Sequence, residues 1–329
     1  MAESRPLVLP PRLKEGDVVG VISTSSPVMS AENLKRGMDA LETLGLKPKL
    51  APNALNGHKN YMAGTDEERI SDFHAMFADP EVKGIFCTGG GHTAMHLLPR
   101  IDWELILHNP KIFVGYSDVT SLLLAIWNKT GLVTFHGSAI EELNISDPED
   151  AFTVAQFKYM LMDGTIGALS RRSTWEVLRG GEARGHLVGG NFEILTESIG
   201  TPYEPDWEDA ILVVEETEET AATLDHYLWR LRLTGVLDKI SGMIVGKVTE
   251  YESTEEDNEP PHLGKSPSPE EVILSETKGF SFPILYGVDF GHDVANITLP
   301  IGVDTYLDCT SLFPHGRISI LGSYLSDRK

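Results

Sequence analysis

The fold prediction starts from the stretch Lys111-Ile-Phe-Val-Gly-Tyr-Ser-Asp-Val-Thr120. Its apolar run, residues 112–114, predicts a buried strand, and the run at residues 121–127 predicts a buried helix. Ser117 therefore stands at a sharp strand-to-helix turn, where a hydroxyl is lifted clear of the sheet and faces the free N–H groups of the new helix. This position makes Ser117 a candidate nucleophile, although a serine that only caps a helix gives the same local pattern.

Strand-like and helix-like segments alternate along the first half of the chain. Strands are expected at residues 17–22, 84–87, 112–114 and 132–135, and helices at 30–45, 66–78 and 121–127. Such alternation predicts an α/β fold, with a parallel sheet covered by helices on both faces. Ligands bind such sheets at the carboxyl ends of the strands. Ser117 and the glycine loop at 88–92 both follow predicted strands, so both are expected at that edge.

The second half of the chain predicts a separate domain. Residues 166–184 show few helix signals and contain glycines, which indicates a linker between a domain of residues 1–165 and a domain of residues 185–329. Within the second domain, strands are expected at 211–214, 240–245 and 283–288, and a helix at 221–233. The acidic, proline-rich segment 249–270 is expected to be an exposed loop.

Charge and composition exclude several classes of partner. The formal net charge of −22 repels nucleic acid phosphates and anionic lipids, so neither nucleic acid nor membrane is an expected partner. The two cysteines, Cys87 and Cys309, form no metal-ligand spacing with each other or with histidine, so no metal site is expected. The N-terminal residues lack the apolar core of a signal peptide, which favours a cytoplasmic location.

The glycine loop Thr88-Gly-Gly-Gly-His92 has three possible interpretations. Glycines permit close backbone approach, so the loop could cradle a phosphate or could donate N–H groups to an oxyanion beside Ser117. The dinucleotide fingerprint and the P-loop lysine are both missing, which weakens the phosphate interpretation. A simple tight turn would show the same residues.

A serine nucleophile needs a base and an acidic group that orients the base. His292 follows a predicted strand and a glycine, and Glu215 ends an apolar strand, but a solvated histidine and a surface carboxylate fit these local patterns equally well. Trp175 lies in a polar segment, where its ring could stack on a flat ligand or fill a domain interface.

These motifs occur together and in the same order in a known family. The chain resembles the LD-carboxypeptidase family of serine peptidases, and more narrowly its microcin C self-immunity branch. The resemblance covers nearly the whole chain. It is carried by the motifs at residues 11–17, 89–90, 115–118, 134–137, 185–191, 212–216, 221–225, 291–292 and 298–302.

The resemblance implies a Ser–His–Glu triad in a cleft between two domains. The N-terminal domain would be a parallel-sheet α/β sandwich, and the smaller C-terminal domain a β-rich α/β unit. Ser117 would be the nucleophile, His292 the general base and then acid, and Glu215 the group that orients the histidine. The implied oxyanion hole combines the Asp118 N–H with an N–H of the glycine loop, at Gly90 or, alternatively, at Gly89.

The microcin self-immunity branch implies hydrolysis of the bond between an acidic aminoacyl group and a nucleotide-like moiety. In that branch a tryptophan stacks on the nucleobase, and Trp175 occupies the matching place. Asn191 and Asp118 are further implied substrate contacts. The resemblance implies no metal or organic cofactor, and it implies a homodimer.

Two alternatives to this activity remain. The murein-recycling branch of the family releases the terminal D-alanine from muropeptides, but it usually carries an arginine and a tyrosine where this chain has Thr88 and Gly91. The other alternative is a non-catalytic protein that binds a nucleotide through the glycine loop. The complete set of Ser117, Glu215 and His292 argues against this last interpretation.

Overall fold

The computed structural model describes residues 6–251, 266–292, 295–310 and 314–327. These residues form two β-sheets with associated helices, so the predicted α/β fold with a β-rich second part is confirmed. Residues 252–265, which make up most of the segment predicted as an exposed acidic loop, lie outside the described residues. No helix among the described residues is long and apolar enough to cross a membrane.

The elements are numbered in chain order. The strands are β1 (Val18–Ile22), β2 (Lys47–Leu50), β3 (Val82–Cys87), β4 (Ile112–Gly115), β5 (Thr134–His136), β6 (Gly167–Ala168), β7 (Glu176–Arg179), β8 (Glu182–Asn191), β9 (Ile211–Thr217), β10 (Gly242–Thr249), β11 (Ile284–Tyr286), β12 (Leu299–Ile301), β13 (Asp304–Asp308) and β14 (Arg317–Ile320). The helices are α1 (Ala31–Thr43), α2 (Asp66–Ala78), α3 (Trp103–His108), α4 (Thr120–Thr130), α5 (Pro148–Phe157), α6 (Phe192–Ser198), α7 (Ala221–Leu233), α8 (Val236–Lys239) and α9 (Pro269–Glu276).

The first sheet has the strand order β12-β5-β4-β3-β1-β2. Its five N-terminal strands are parallel, as the alternation of strands and helices predicts. The sixth strand, β12, pairs antiparallel with β5 and comes from the C-terminal part of the chain. The boundary between the predicted domains is therefore crossed, because residues after 185 complete the N-terminal sheet.

The second sheet has the strand order β6-β14-β13-β8-β9-β10-β11-β7. Strands β8 to β11 run parallel to one another, and the outer pairs are antiparallel. The predicted linker at residues 166–184 does not match this arrangement, because it contains β6, β7 and the start of β8. Of the three glycines in this segment, Gly167 lies in β6, whereas Gly180 and Gly181 form the short connection between β7 and β8.

Helix α4 lies between the two hydrophobic cores and carries the nucleophile turn at its start. Leu122 and Leu123 pack in the core of the first sheet, whereas Leu124 packs in the core of the second. All three side chains are 0% exposed. A helix that is apolar on every face is buried on every face, and this position brings Ser117 to the boundary between the two sheets.

Candidate active site

The turn after β4 holds Ser117 in a conformation that few residues other than glycine adopt. Its φ is +56°, in the left-handed region, where a side chain costs conformational energy. A 3-10 turn, Ser117–Val119, connects the end of β4 to α4. The partly exposed Ser117 side chain therefore lies at the carboxyl end of the sheet, where ligands bind such folds.

Gly90 lies directly against the nucleophile. A Cβ atom added to Gly90 would lie 2.7 Å from both Cβ and Oγ of Ser117 and 3.6 Å from the backbone nitrogen of Asp118. Only glycine fits this close approach. A Cβ atom on Gly89 would instead face Glu141, whose Oε2 would lie 3.6 Å away. The geometry therefore favours Gly90 over Gly89 as the loop residue beside the nucleophile.

Two backbone N–H groups near this contact are available to a ligand. Among the residues that the structure describes, neither the Asp118 N–H nor the Gly90 N–H donates to a backbone carbonyl. Fixed N–H donors beside a nucleophile can stabilise the negative oxygen that forms during acyl transfer. These are the two groups that the family resemblance implies for an oxyanion hole.

The side chain of Asp118 points away from any ligand. It is 0% exposed, and its Oδ2 accepts hydrogen bonds from Ser25 Oγ and from the Ala94 N–H, the latter at 2.8 Å. Ser25 Oγ accepts in turn from the Thr93 N–H at 3.0 Å. A substrate contact through the Asp118 side chain therefore does not fit the structure, because the carboxylate is buried in bonds that tie the nucleophile turn to two neighbouring loops.

His292 and Glu215 form a buried pair. Glu215 Oε2 lies 2.8 Å from His292 Nδ1. The Glu215 side chain is 0% exposed and the His292 side chain 18% exposed. Glu215 lies near the end of β9, and His292 follows Gly291 in the chain segment that leads into β12. A carboxylate on Nδ1 fixes the imidazole orientation and leaves Nε2 free to act as a base.

The surrounding carboxylates control the protonation of His292. Burial alone would lower the pKa of His292, but the hydrogen bond and charge of Glu215, together with the charges of Glu142 and Glu216, raise it to about 9. The imidazolium form is therefore strongly stabilised in the free protein. This is the form that arises when a histidine accepts a proton from a nucleophile.

Ser117 and His292 line the same cavity, which has a volume of about 400 Å³. Among the described residues, no hydrogen bond joins Ser117 Oγ to the His292 ring. Bonds of this kind are often long without substrate and tighten in the substrate complex. The structure thus brings the three predicted triad residues to one place, with the histidine–glutamate bond formed.

Carboxylates dominate the lining of this cavity. No lysine or arginine is among its described lining residues, whereas five glutamates are: Glu193, Glu216, Glu218, Glu219 and Glu250. The sequence analysis identified none of the five as a site residue. Glu216, Glu218 and Glu219 stand in one acidic run at residues 215–219, and the fold adds Glu193 from α6 and Glu250, which follows β10. A negative cavity favours a cationic or neutral group of a ligand.

Asn191 lies where the resemblance places a substrate contact. It lines the cavity with Ser117 and His292, although only 4% of its surface is exposed. Its Oδ1 accepts from the Ile194 N–H at 3.2 Å, and its Nδ2 donates to Glu216 Oε1 at 2.8 Å. One N–H of the Asn191 amide is left over from these two bonds.

Trp175 does not lie in the cavity. Its ring is 2% exposed and packs in the core of the second sheet. Its Nε1–H donates to Asp289 Oδ2 at 2.8 Å. The prediction that this ring stacks on a nucleobase does not fit this position, because both faces of the ring are covered by protein. The alternative prediction is a tryptophan that fills a domain interface, whereas the ring packs within the core of the second sheet.

His136, in β5, is a buried histidine that the sequence analysis quoted only as part of a motif. It is 0% exposed, and neither of its ring nitrogens has a hydrogen-bond partner among the described residues. Burial lowers the pKa of His136 to about 4, so the ring is neutral at pH 7. The ring of Tyr116 lies 6.0 Å from His136 and 4.7 Å from His292, which places His136 beneath the base.

Within the described residues, no group of three or more His, Cys, Asp or Glu side chains is arranged to hold a metal ion. A serine, a histidine and a buried carboxylate, with two N–H donors beside the serine, are the parts needed for acyl transfer.

Comparison with known proteins identifies the family of the chain. The family description "LD-carboxypeptidase N-terminal domain" matches residues 19–137, and "LD-carboxypeptidase C-terminal domain" matches residues 184–307. The chain is 36% identical over 293 residues to the "Probable murein peptide carboxypeptidase" of Bacillus subtilis (strain 168), with 89% of each chain covered. It is 32% identical to the "Microcin C7 self-immunity protein MccF" of Escherichia coli, with 100% of both chains covered.

A solved structure agrees with these matches. The chain superposes on the microcin C7 self-immunity protein MccF, solved with aspartyl sulfamoyl adenosine, with a TM-score of 0.87 and 29% sequence identity. The superposition covers 97% of this chain and 100% of the other. The two family matches span more than half of the sequence, and the fold agrees over nearly its whole length. The chain therefore belongs to the LD-carboxypeptidase family of serine peptidases.

Proposed function

We propose that this protein hydrolyses an amide-type bond through a Ser117–His292–Glu215 triad and an acyl-enzyme intermediate. The observation that carries the proposal is the buried His292–Glu215 pair, joined at 2.8 Å, in the cavity that Ser117 lines. A strained serine next to a histidine that is oriented by a carboxylate is the arrangement that activates a hydroxyl for attack.

The proposed reaction has two halves. Ser117 Oγ attacks the substrate carbonyl carbon while His292 Nε2 takes the hydroxyl proton, and the Asp118 and Gly90 N–H groups bind the oxygen that becomes negative. The bond to the leaving nitrogen then breaks, and His292 returns the proton to that nitrogen. In the second half, His292 takes a proton from water, the hydroxide attacks the ester, and the acid product leaves Ser117 with its proton restored.

We propose as substrate a conjugate of an acidic aminoacyl group with a nucleotide-like moiety. This is supported by the likeness to MccF, whose structures were solved with aspartyl sulfamoyl adenosine and with glutamyl sulfamoyl guanosine. The free α-ammonium of an aminoacyl group also suits a cavity lined by glutamates, since opposite charges attract strongly at short range. Because protein covers the ring of Trp175, this ring gives no support for binding of the nucleobase, and we assign nucleobase recognition to other residues.

Murein peptides are the second candidate substrate. The 36% identical relative from Bacillus subtilis favours this activity, which would release the terminal D-alanine from a muropeptide. A carboxypeptidase benefits from a cation that binds the terminal carboxylate of its substrate. No lysine or arginine that could bind this carboxylate is among the described residues that line the cavity. The acidic side chain of the first candidate substrate finds no cationic partner there either, so the turnover assay decides between the two substrates.

The resemblance also carries our proposal of a homodimer that needs no cofactor. The net charge of −22 supports our proposal that it binds neither nucleic acid nor membrane, and we propose a cytoplasmic location. The dimer is tested by light scattering of the purified protein, in which a mass of one chain would refute it. The location is tested by fractionating the source cells and following the protein with an antibody.

A side-by-side turnover assay tests the proposed function. Aspartyl sulfamoyl adenosine and a muropeptide tetrapeptide are each incubated with the protein and with Ser117→Ala as the control. Cleavage of the nucleoside conjugate alone, lost in the control, supports the first substrate, and release of D-alanine alone supports the second. Tight nucleoside binding without turnover, equal in both proteins, would instead support the non-catalytic nucleotide-binding alternative.

A further inference from the structure

Glu215 and Glu216 are neighbours in β9 but serve opposite sides of the strand. Adjacent residues of a strand point to opposite faces. Glu215 faces His292, whereas Glu216 faces the start of α6 and the side chain of Asn191. Only 4% of Glu216 is exposed, yet it also lines the cavity that contains Ser117. A buried carboxylate in such a place needs a physical explanation.

Three donors satisfy the Glu216 carboxylate. Its Oε1 accepts from Asn191 Nδ2 at 2.8 Å and from the Thr217 N–H at 3.1 Å, and its Oε2 accepts from the Glu193 N–H at 2.8 Å. Hydrogen bonds to a charged acceptor are stronger than those between neutral groups. Glu216 therefore fixes both the first turn of α6 and the amide of Asn191.

The Asn191 amide has a single orientation that satisfies both of its neighbours. Its Oδ1 caps α6 by accepting from Ile194 N–H, and its Nδ2 donates to Glu216. A flipped amide would set oxygen against the carboxylate and NH₂ against a donor. The second N–H of Nδ2 is thereby held in one direction at the wall of the cavity.

The same residue is tied to the nucleophile helix. The Asn191 N–H donates to Thr120 Oγ1 at 3.0 Å, and Thr120 is the first residue of α4. Gly190, with φ +147°, permits this approach, because a Cβ there would lie 2.5 Å from Thr120 Oγ1. The bond to Thr120 therefore fixes the Asn191 backbone relative to the helix that follows Ser117, and the bond to Glu216 fixes the Asn191 side chain.

We propose that Glu216 is a positioning residue, which holds one N–H of the Asn191 side chain toward an acceptor oxygen of the substrate. The inference rests on the proposed hydrolytic function, because Asn191 is there a substrate contact. Glu216 does not touch the reacting atoms, so its loss should weaken substrate binding much more than it slows the chemical step. The titratable groups that interact electrostatically with Glu216 are Glu215 on β9, Tyr227 on α7 and His292.

The first experiment compares Glu216→Gln with Glu204→Gln, using the substrate that the wild type cleaves. Glu204 is not among the described residues that line the cavity, and it also accepts two hydrogen bonds, from the Gly200 N–H and from Trp207 Nε1, so its variant controls for the loss of a hydrogen-bonded carboxylate. We expect Glu216→Gln to raise KM about tenfold, which is the effect of losing one hydrogen bond. The kcat of this variant should stay within about threefold of the wild-type value. The control should leave KM within about twofold. An unchanged KM in Glu216→Gln would overturn the proposal.

The second experiment reverses the polarity of the pair with the double variant Asn191→Asp plus Glu216→Gln. The new carboxylate can cap α6 and accept from the new amide, so thermal stability should return toward that of the wild type. No N–H then points at the substrate, so KM should stay raised about tenfold. Recovery of a wild-type KM in the double variant would show that the pair is only structural.

A measurement without substrate separates this proposal from the proposed function. In NMR spectra, the Asn191 side-chain amide should exchange with water slowly in the wild type and at least about tenfold faster in Glu216→Gln, since one bond is lost. Failure of the wild type to cleave either substrate would refute the proposed function alone. Equal exchange in the two proteins would refute the positioning role alone.

Discussion

The nucleophile half and the base half of the candidate site are held in place by different physical effects. Ser117 is placed by backbone geometry, through its φ of +56° and the close approach of Gly90. His292 is placed by charge and hydrogen bonding, through its 2.8 Å bond to Glu215. Activity should therefore fall when a larger side chain is introduced into the nucleophile half, and this half should give activity no pH dependence. Activity should also fall when a charge is removed from the base half, and this half should make activity depend on pH.

The largest expected effect comes from the base half. Glu215→Gln keeps the size of the side chain but removes the charge that orients and stabilises the His292 imidazolium. We expect kcat to fall about 10⁴-fold, as for the equivalent loss in other triads. Glu218→Gln, which removes an exposed carboxylate of the same cavity, is the control and should retain activity. A loss below tenfold in Glu215→Gln would remove Glu215 from the triad.

The nucleophile half should be broken by a single methyl group. In Gly90→Ala the new Cβ would lie 2.7 Å from Ser117 Oγ, so the loop or the serine must move and one oxyanion donor is displaced. We expect kcat to fall about 10²- to 10³-fold. Gly89→Ala is the matched control, because its Cβ meets only Glu141 at 3.6 Å. Equal losses in both variants would show that general loop damage is responsible.

The base half also predicts a pH dependence that the nucleophile half lacks. The pKa of His292 is raised to about 9, and only neutral histidine can accept a proton. kcat/KM should therefore rise about 50-fold between pH 7 and pH 9. The same shift stabilises the folded state below pH ~6.5, the usual histidine pKa, and this contribution is lost as the pH rises through about 9. A plateau of kcat/KM that begins near pH 7 would contradict the prediction.

The smallest effect on turnover is expected at Trp175, which lies outside both halves. Trp175→Phe removes the Nε1–H donor of Asp289 but keeps an aromatic ring in the core. We expect the free energy of unfolding in urea to fall by about 1–3 kcal/mol, the usual effect of removing one partner of a buried carboxylate, while kcat/KM stays within about twofold. If Trp175→Phe lost turnover of the nucleoside conjugate while its stability was unchanged, the prediction that Trp175 stacks on the nucleobase would be favoured again.

The sequence predicts elements well where local signals agree with one another. Helices at 66–78 and 221–233 match α2 and α7 residue for residue, because apolar periodicity and capping residues mark the same ends. In α2, Thr65 and Glu68 form a capping box, and Phe73 and Phe77 form the buried face. The nucleophile turn is equally local, since a strand, a glycine and a helix adjoin it.

The remaining features depend on contacts between distant residues. The glycines near residues 180–190 resemble a linker in sequence, but Gly190 is required by its contact with Thr120, 70 residues earlier by number. Trp175 is buried, and its Nε1–H donates a hydrogen bond to Asp289, which is 114 residues away in the sequence. Two of the glutamates in the cavity, Glu193 and Glu250, lie far in sequence from the acidic run at residues 215–219, and only the fold brings them beside it. Sequence periodicity reports which face of an element is apolar and not which partner covers it.

The antiparallel pairing of β12 with β5 has a consequence for how the protein is made. The sheet that carries Ser117 is completed by residues Leu299–Ile301, which are synthesised long after the β5 strand that they pair with. Until then the edge of β5 stays open, and unpaired strand edges invite aggregation. His292 is delivered by the same late segment. A translation product interrupted before this segment would therefore contain Ser117 without His292, so that under the proposed mechanism a partial chain could not hydrolyse the substrate.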